Sequence, residues 1–372
     1  MKILYYFQEL DTPMFQWQRK HFLDELARKG VSIETFNPLL YSNTEEANEK
    51  LIKKAKEGGF DLMISNMGYY KMLYVDSVRE IKKIGIPTMR IAWDNLMIPY
   101  IDKVLAPHFD LVWLTARETE QLYKKWGVKY FFAPYAANPF TYCYQEVDLK
   151  RCACFIGNPH GSRALMINTL TKNGMPVEVY HGGKRQKVIE QNKPQRKYNI
   201  INPSTSETLI NRLKFREGRI LMYGSIINKL KGATSVENNE RLKKYSGLSH
   251  EDMVSTYAAV ALSLASTSAG HTDVLKNPLN IINLRNFEIP MCGGIEICKY
   301  SEEIAEYFED GKEIVLYNDE YELAEKARYY IERASDNELR QMKLAARKRA
   351  EADHTWWNRF KIAFDYLGLK YD

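Results

Sequence analysis

The chain has 372 residues, 45% of them apolar and 12% aromatic, which exceeds one ordinary domain and suffices for two with real cores. Its formal net charge of +6 admits anionic substrates or an acidic membrane surface and is too weak to indicate nucleic acid. No apolar run reaches the roughly 18 residues of a membrane span, and the five cysteines (Cys143, Cys152, Cys154, Cys292, Cys298) form no C-x-x-C pair, so zinc and a disulfide framework are disfavoured and a reducing cytoplasm is expected.

Residues 2–7, KILYYF, read as a first buried strand and not a signal peptide, because acids follow at once without a small-residue cleavage site. A loop at 8–13 precedes an amphipathic helix with Phe15, Phe22, Leu23 and Leu26 on one face and Gly30 as its stop. Strands at 31–36, 60–65, 86–93, 110–114 and 128–132 alternate with helices at 44–56, 75–84 and 116–126. Such alternation predicts an α/β fold with a doubly wound, mostly parallel sheet. The first strand-to-helix turn lacks G-x-G-x-x-G, which disfavours a dinucleotide-binding oxidoreductase.

Residues 139–151 read as a linker, and at Cys152 the alternation restarts. CACFIG is a strand, Gly157-Asn158-Pro159-His160-Gly161 a glycine-bearing loop, 162–173 a helix and 177–180 a strand. A second first strand implies a second, similar domain facing the first across a cleft. Residues 184–246 are the least legible part, read as an insertion or a mobile loop with one strand at 219–223. A capping box at Ser249 to Asp252 opens a helix to 258, followed by a strand at 260–265. Further on come a helix at 301–308, a strand at 313–317 and a helix at 320–333. A second capping box at Ser335 and Glu338 starts a helix to about residue 352, and a last amphipathic segment runs through 367. Its Trp356, Trp357, Phe360 and Phe364 fit a core stripe better than a membrane-surface helix.

The stretch 280–300, NIINLRNFEIPMCGGIEICKY, carries the chemistry. Gly293 and Gly294 stop a short helix, so Arg285 and Glu288, three apart, share one face. A cation beside an acid can grip a ligand with both negative charge and hydroxyls, as a nucleotide sugar has. The competing reading is that the two only pair with each other on a solvated face. In the first half, Asp94 ends a strand beside Asn95 and Asp11 sits in the first strand-to-helix loop. Either could be general base to an acceptor hydroxyl, or simply cap a helix. His181 and His354 are expected to be structural.

FIGNPHGSR, LSHEDMVSTYAAVALSL, LRNFEIPMCGG, IAEYFEDGKEIVLYND and AEADHTWWNRF, in that order over roughly residues 150–362, resemble the GT-B glycosyltransferases, most closely the CgeB-like (spore-maturation) group related to the retaining family 4 type. The resemblance implies two Rossmann-like doubly wound domains: an acceptor-side domain at 1–145, a nucleotide-sugar domain at 152–345, and a helical segment at 346–372 that crosses back to the first. The implied function is transfer of a sugar from a nucleotide-diphosphate sugar to an acceptor hydroxyl on a glycan, lipid-linked or protein acceptor, in glycan, cell-surface polysaccharide or glycoconjugate synthesis. No cofactor and no metal are expected, since the chain has no Asp-x-Asp. Glu288 corresponds to the second glutamate of the family's E-x(7)-E motif, which holds the donor ribose; its first position is Asn280 here, a departure from the pattern. The literal Glu288/Glu296 match is accidental, because Glu296 falls on the following strand. The implied donor set is Glu288, Arg285, Asn283, Asn280, Gly157, Asn158, Arg163 and Gly293, with Asp94 and Asp11 as catalytic candidates. The expected location is the cytoplasm, with peripheral contact at the inner face of the membrane. The alternatives are a nucleotide-sugar epimerase on the same plan and a non-catalytic sugar-binding protein.

Overall fold

The computed structural model describes residues 1–9, 17–66, 72–182, 205–231 and 235–371. The chain divides into two compact units. Unit 1 comprises Met1–Pro134, Ile189–Arg219 and Trp356–Asp372, and unit 2 comprises Tyr135–Val188 and Ile220–Thr355.

In chain order the first elements are β1 (Lys2–Tyr6), α1 (Asp24–Arg28, continuing a π turn at Arg19–Leu23), β2 (Ser32–Phe36), α2 (Thr44–Gly58), β3 (Leu62–Ser65), α3 (Val75–Lys83), β4 (Thr88–Ala92), α4 (Pro99–Leu105), β5 (Leu111–Leu114), α5 (Glu120–Lys125) and β6 (Tyr130–Phe132). Their strands make one parallel sheet of order β2-β1-β3-β4-β5-β6. Helices on both faces bury the central strands completely, which is why they are mostly apolar, with Thr88, Arg90 and Ser65 as buried polar exceptions.

Then follow β7 (Lys150–Ile156), α6 (Ser162–Lys172), β8 (Val177–Tyr180), α7 (Thr205–Leu213), α8 (Arg216–Leu230), β9 (Leu242–Tyr245), α9 (His250–Ala259), β10 (Val260–Leu264), α10 (Arg285–Met291), β11 (Glu296–Lys299), α11 (Glu302–Tyr307), β12 (Val315–Tyr317), α12 (Glu320–Arg328), α13 (Asp336–Asp353) and α14 (Trp356–Leu367). The second sheet is also six-stranded and parallel, of order β12-β11-β10-β7-β8-β9. Side chains of Ser249, Ser301 and Ser335 cap α9, α11 and α13 by accepting from the N–H three residues on. In each sheet the strand order reverses once, between β1 and β3 and between β7 and β10. The loops leaving the carboxyl ends there are where open α/β sheets bind ligands.

Three sequence expectations change. The strand expected at 219–223 is the middle of α8. Its short apolar run suits either structure, but Phe215, Leu221, Gly224 and Asn228 are buried while Arg219, Tyr223, Ile226 and Leu230 are exposed, a helical period. The edge strand β9, LKKY, has mostly exposed residues and no apolar run to announce it. The division between units falls at Pro134, not in the 139–151 linker, because residues after 134 bond into unit 2: Ala137 N–H donates to His354 O at 3.1 Å.

Residues Trp356–Asp372 belong to unit 1. Trp356, Phe360, Ala363 and Phe364 are wholly buried there. The buried Glu25 carboxylate accepts from Trp356 N (3.1 Å) and Trp357 N (2.9 Å), satisfying the first turn of α14. Trp356 Nε1 donates to His21 Nδ1 at 3.0 Å.

Candidate functional site

At the switch point of unit 2, β7 ends in the Gly157–Gly161 loop that leads into α6. Arg285, at the start of α10, donates from Nη2 to Ile156 O at 2.7 Å and lies over the Phe155 ring at 5.2 Å. This position dictates Gly157. Its φ is +130°, and a Cβ there would stand 2.7 Å from Arg285 Nη2. Gly161, with φ +61°, is held likewise: a Cβ would meet His271 Nδ1 at 2.9 Å.

Arg163, in the first turn of α6, donates to Asn158 O at 3.3 Å. Burial, and then the neighbouring Arg285, push its pKa down to about 10. Burial also works against the charge of Arg285, but Tyr257 and Glu288 outweigh it and raise that guanidinium above the ordinary arginine value. Among the described residues neither arginine has a carboxylate within salt-bridge distance, and Arg285 Nε is buried without a partner. Two guanidiniums facing backbone carbonyls beside a glycine loop make a site for an anion with several oxygens.

Glu288 lies one turn further along α10. Its carboxylate accepts from the Tyr142 hydroxyl at 2.7 Å, so the expected alternative, a pairing of Arg285 with Glu288, is not the arrangement found. Tyr142 is buried at 3% exposure, and burial together with the Glu288 charge holds its hydroxyl protonated, well above the usual value. Arg347 of α13 locks this corner by donating to the carbonyls of Tyr142 and Met291. Tyr142 escaped the sequence reading because it lies in the polar stretch taken as a linker. The only signal was the aromatic pair in Thr141-Tyr-Cys-Tyr144.

The other donor candidates divide into two groups. Asn283 braces the start of α10: its Nδ2 donates to Ser266 O (3.1 Å) and its N–H to Asn286 Oδ1 (2.8 Å). Gly293, φ +74°, ends α10 where a Cβ would stand 2.2 Å from the Tyr144 ring. Both therefore shape the site through packing. Asn280 pairs in an isolated antiparallel bridge with Ser268, and Asn158 is exposed on the glycine loop. His354, beside Phe287 and Phe308, has its Nε2 3.1 Å from Tyr307 O, a structural placement. His181 is exposed after β8.

In unit 1, Asp94 is exposed just beyond β4 and has φ +50°, the only positive φ of a non-glycine among the described residues. Its carbonyl accepts from Met97 N (2.8 Å) and Ile98 N (3.2 Å), whereas the N-cap of α4 is Ile98. The helix-cap reading of Asp94 thus gives way to a turn in an uncommon backbone region, of the kind that gathers at functional sites. Asp11 lies outside the described residues.

Residues 197–365 match the family model described as glycosyl transferase-like. Solved structures share the fold over nearly the whole chain, three of them as follows. Anabaena HepE, determined in complex with UDP-glucose, is 13% identical, with 99% of this chain and 100% of that chain covered at a TM-score of 0.58. Sucrose-phosphate synthase from Thermosynechococcus elongatus is 14% identical, with 99% and 98% covered at 0.53. A glycosyltransferase from Rickettsia africae is 11% identical, with 98% of each chain covered at 0.58. No curated protein matches the sequence. The chain has the GT-B fold of these structures, and the stretch of it that matches the glycosyl transferase-like model is residues 197–365.

Proposed function

We propose that the protein transfers a sugar from a nucleotide-diphosphate sugar to an acceptor hydroxyl, with the donor held by unit 2. The observation that carries this is the Arg163–Arg285 pair, with no carboxylate at salt-bridge distance among the described residues, beside the Gly157–Gly161 loop and one helical turn from Glu288. The arginines take the diphosphate and stabilise the charge that develops as it leaves, which needs no metal. Glu288, oriented by Tyr142, accepts from the ribose hydroxyls. Asn158 and the N–H groups of the glycine loop add donors, and Asn280, Asn283 and Gly293 set the shape around them. HepE, with its UDP-glucose complex, supports a uridine nucleotide as the first to try. The order of sequence blocks supports membership of the CgeB-like group.

Asp94 is the group we assign to the acceptor hydroxyl as general base, with Asp11 its nearest rival. A lipid-linked acceptor at a membrane face is supported by unit 1. Val104 on α4 and Leu209, Ile210 and Leu213 on α7 are all more than 40% exposed. The neighbouring cavity of about 610 Å³ is lined by Tyr100, Phe215, Lys103 and Lys214 among others. Exposed apolar side chains bordered by lysines suit an anionic bilayer. Sedimentation with phosphatidylglycerol vesicles but not phosphatidylcholine ones is the expected result.

The deciding experiment is a thermal-shift panel of nucleoside diphosphates and their sugars on the parent and on Glu288→Ala. One nucleotide series should raise the melting point of the parent and do much less for the variant. Equal shifts in both proteins would refute the donor assignment.

A further inference from the structure

Glu296 plays no part in the chemistry above, yet it is a carboxyl buried in the core of unit 2. It stands on β11, opposite Ser263 of β10, at 1% exposure. Its Oε1 accepts from Asn286 Nδ2 at 2.6 Å, and its Oε2 is buried with no hydrogen-bond partner. Asn286 is itself completely buried and turns its other end to the chain, Oδ1 accepting from Asn283 N at 2.8 Å. Asn283 in turn holds Ser266 O, at the exit of β10. A single line of hydrogen bonds therefore runs from the sheet, through Glu296 and Asn286, to the turn from which Arg285 and Glu288 project.

An acid in an apolar core is costly unless it holds something in place or stays protonated. Leucine or valine would fill a buried strand position without that cost. We propose that Glu296 is a positioning residue of the donor site: through Asn286 it fixes the start of α10, and its proton is coupled to the anion held by Arg285. The proposal rests on the donor reading given above.

The charged and titratable groups that face Glu296 are the Arg285 guanidinium on α10 and the Cys298 thiol on its own strand face; Asn286 is neutral. Burial raises the carboxyl to about 7, against the hydrogen bond of Asn286, the neighbouring Cys298 thiol and the charge of Arg285, all of which favour the ionised form. A diphosphate on Arg285 cancels that last influence and adds negative charge nearby. The carboxyl therefore binds a proton when the nucleotide binds, and by linkage nucleotide affinity gains as pH falls through neutrality.

The test is calorimetric titration of UDP, ADP and GDP at pH 7 in two buffers of different ionisation enthalpy, which counts protons taken up. It is run on the parent, on E296Q and on E296L. Glutamine keeps the acceptor for Asn286 and cannot titrate; leucine removes the acceptor as well. The parent should take up a fraction of a proton that E296Q does not. E296L should bind about tenfold more weakly than the parent, with E296Q restoring most of that loss. The His160 and phosphate titrations are common to all three proteins and cancel in the comparison. Equal proton uptake in parent and E296Q overturns the proposal even if E296L fails to fold, and so does parental affinity in E296L. A parent that binds none of the nucleotides overturns the donor reading itself, and this inference falls with it.

Discussion

Gly157→Ala puts the geometry of the anion site under direct strain. The backbone there has φ +130°, outside the small left-handed region open to other residues, and a side chain forced to stay costs about 1–3 kcal/mol. The new Cβ would also stand 2.7 Å from Arg285 Nη2. The end of an arginine is normally free to swing aside, but this one is bonded to Ile156 O and lies over Phe155. Moving it forfeits a charged hydrogen bond to a half-buried carbonyl, about 1.5–3 kcal/mol. Together the two effects cost about 2.5–6 kcal/mol, and at about 2–4 °C per kcal/mol for a unit of this size the melting point should fall by at least about 5 °C. Scanning calorimetry reads that fall, and titration calorimetry should show nucleoside diphosphate binding weakened at least about tenfold. In an Arg285→Ala background the same glycine change should cost less, because only the backbone strain remains. An unchanged melting point with unchanged nucleotide affinity would refute the placement of Arg285 against the loop.

Four other outcomes follow from the same geometry. Glu288→Ala should abolish the preference for a ribonucleoside diphosphate over its 2′,3′-dideoxy analogue, which in the parent should be about tenfold or more, as competition binding would read. Tyr142→Phe leaves Glu288 without the hydroxyl that orients it, and nucleotide affinity should weaken by about 1 kcal/mol with little change in melting point. Asp102→Asn breaks the buried Arg90–Asp102 pair of unit 1, in which Tyr123 also donates to Asp102. Denaturant unfolding should show a loss of about 3–5 kcal/mol, with nucleotide affinity unchanged. For Glu296, a carboxyl raised to about 7 keeps in the folded state a proton that the unfolded chain releases above about 4.5. The stability of the parent relative to E296Q should therefore be greatest at acid pH and decline as pH rises from about 4.5 to about 7. A flat difference across that window would contradict the buried placement.

Most of the sheet could be read in advance because a parallel strand covered on both faces is predominantly apolar, so β1, β3, β4, β5 and β10 stand out. Serine caps fixed the starts of α9, α11 and α13 for a similarly local reason. What resisted reading was what depends on distant partners. Tyr142 matters because Glu288, 146 positions away, accepts its hydrogen bond. Asn286 and Glu296 are ordinary polar letters until the fold sets one over the other. The four apolar letters of 220–223 lack the length to choose between strand and helix; α8 is chosen by burial of Leu221, Gly224 and Asn228 along one face. Gly224 is drawn in so closely that a Cβ would stand 2.8 Å from His271 O.

Unit 1 is assembled from three separated stretches of chain, the last of them contributing Trp356, Phe360 and Phe364 to its interior. A fragment ending near Pro134 would leave Phe22, Trp93 and Trp113 facing solvent where those rings now cover them, and the Glu25 carboxylate without the N–H groups it now receives. Attempts to produce the first unit alone should therefore give aggregating material, and a workable truncation has to carry the final helix along, fused back through a designed connection. During synthesis, likewise, the opening third of the polypeptide waits for the closing residues before its interior is sealed.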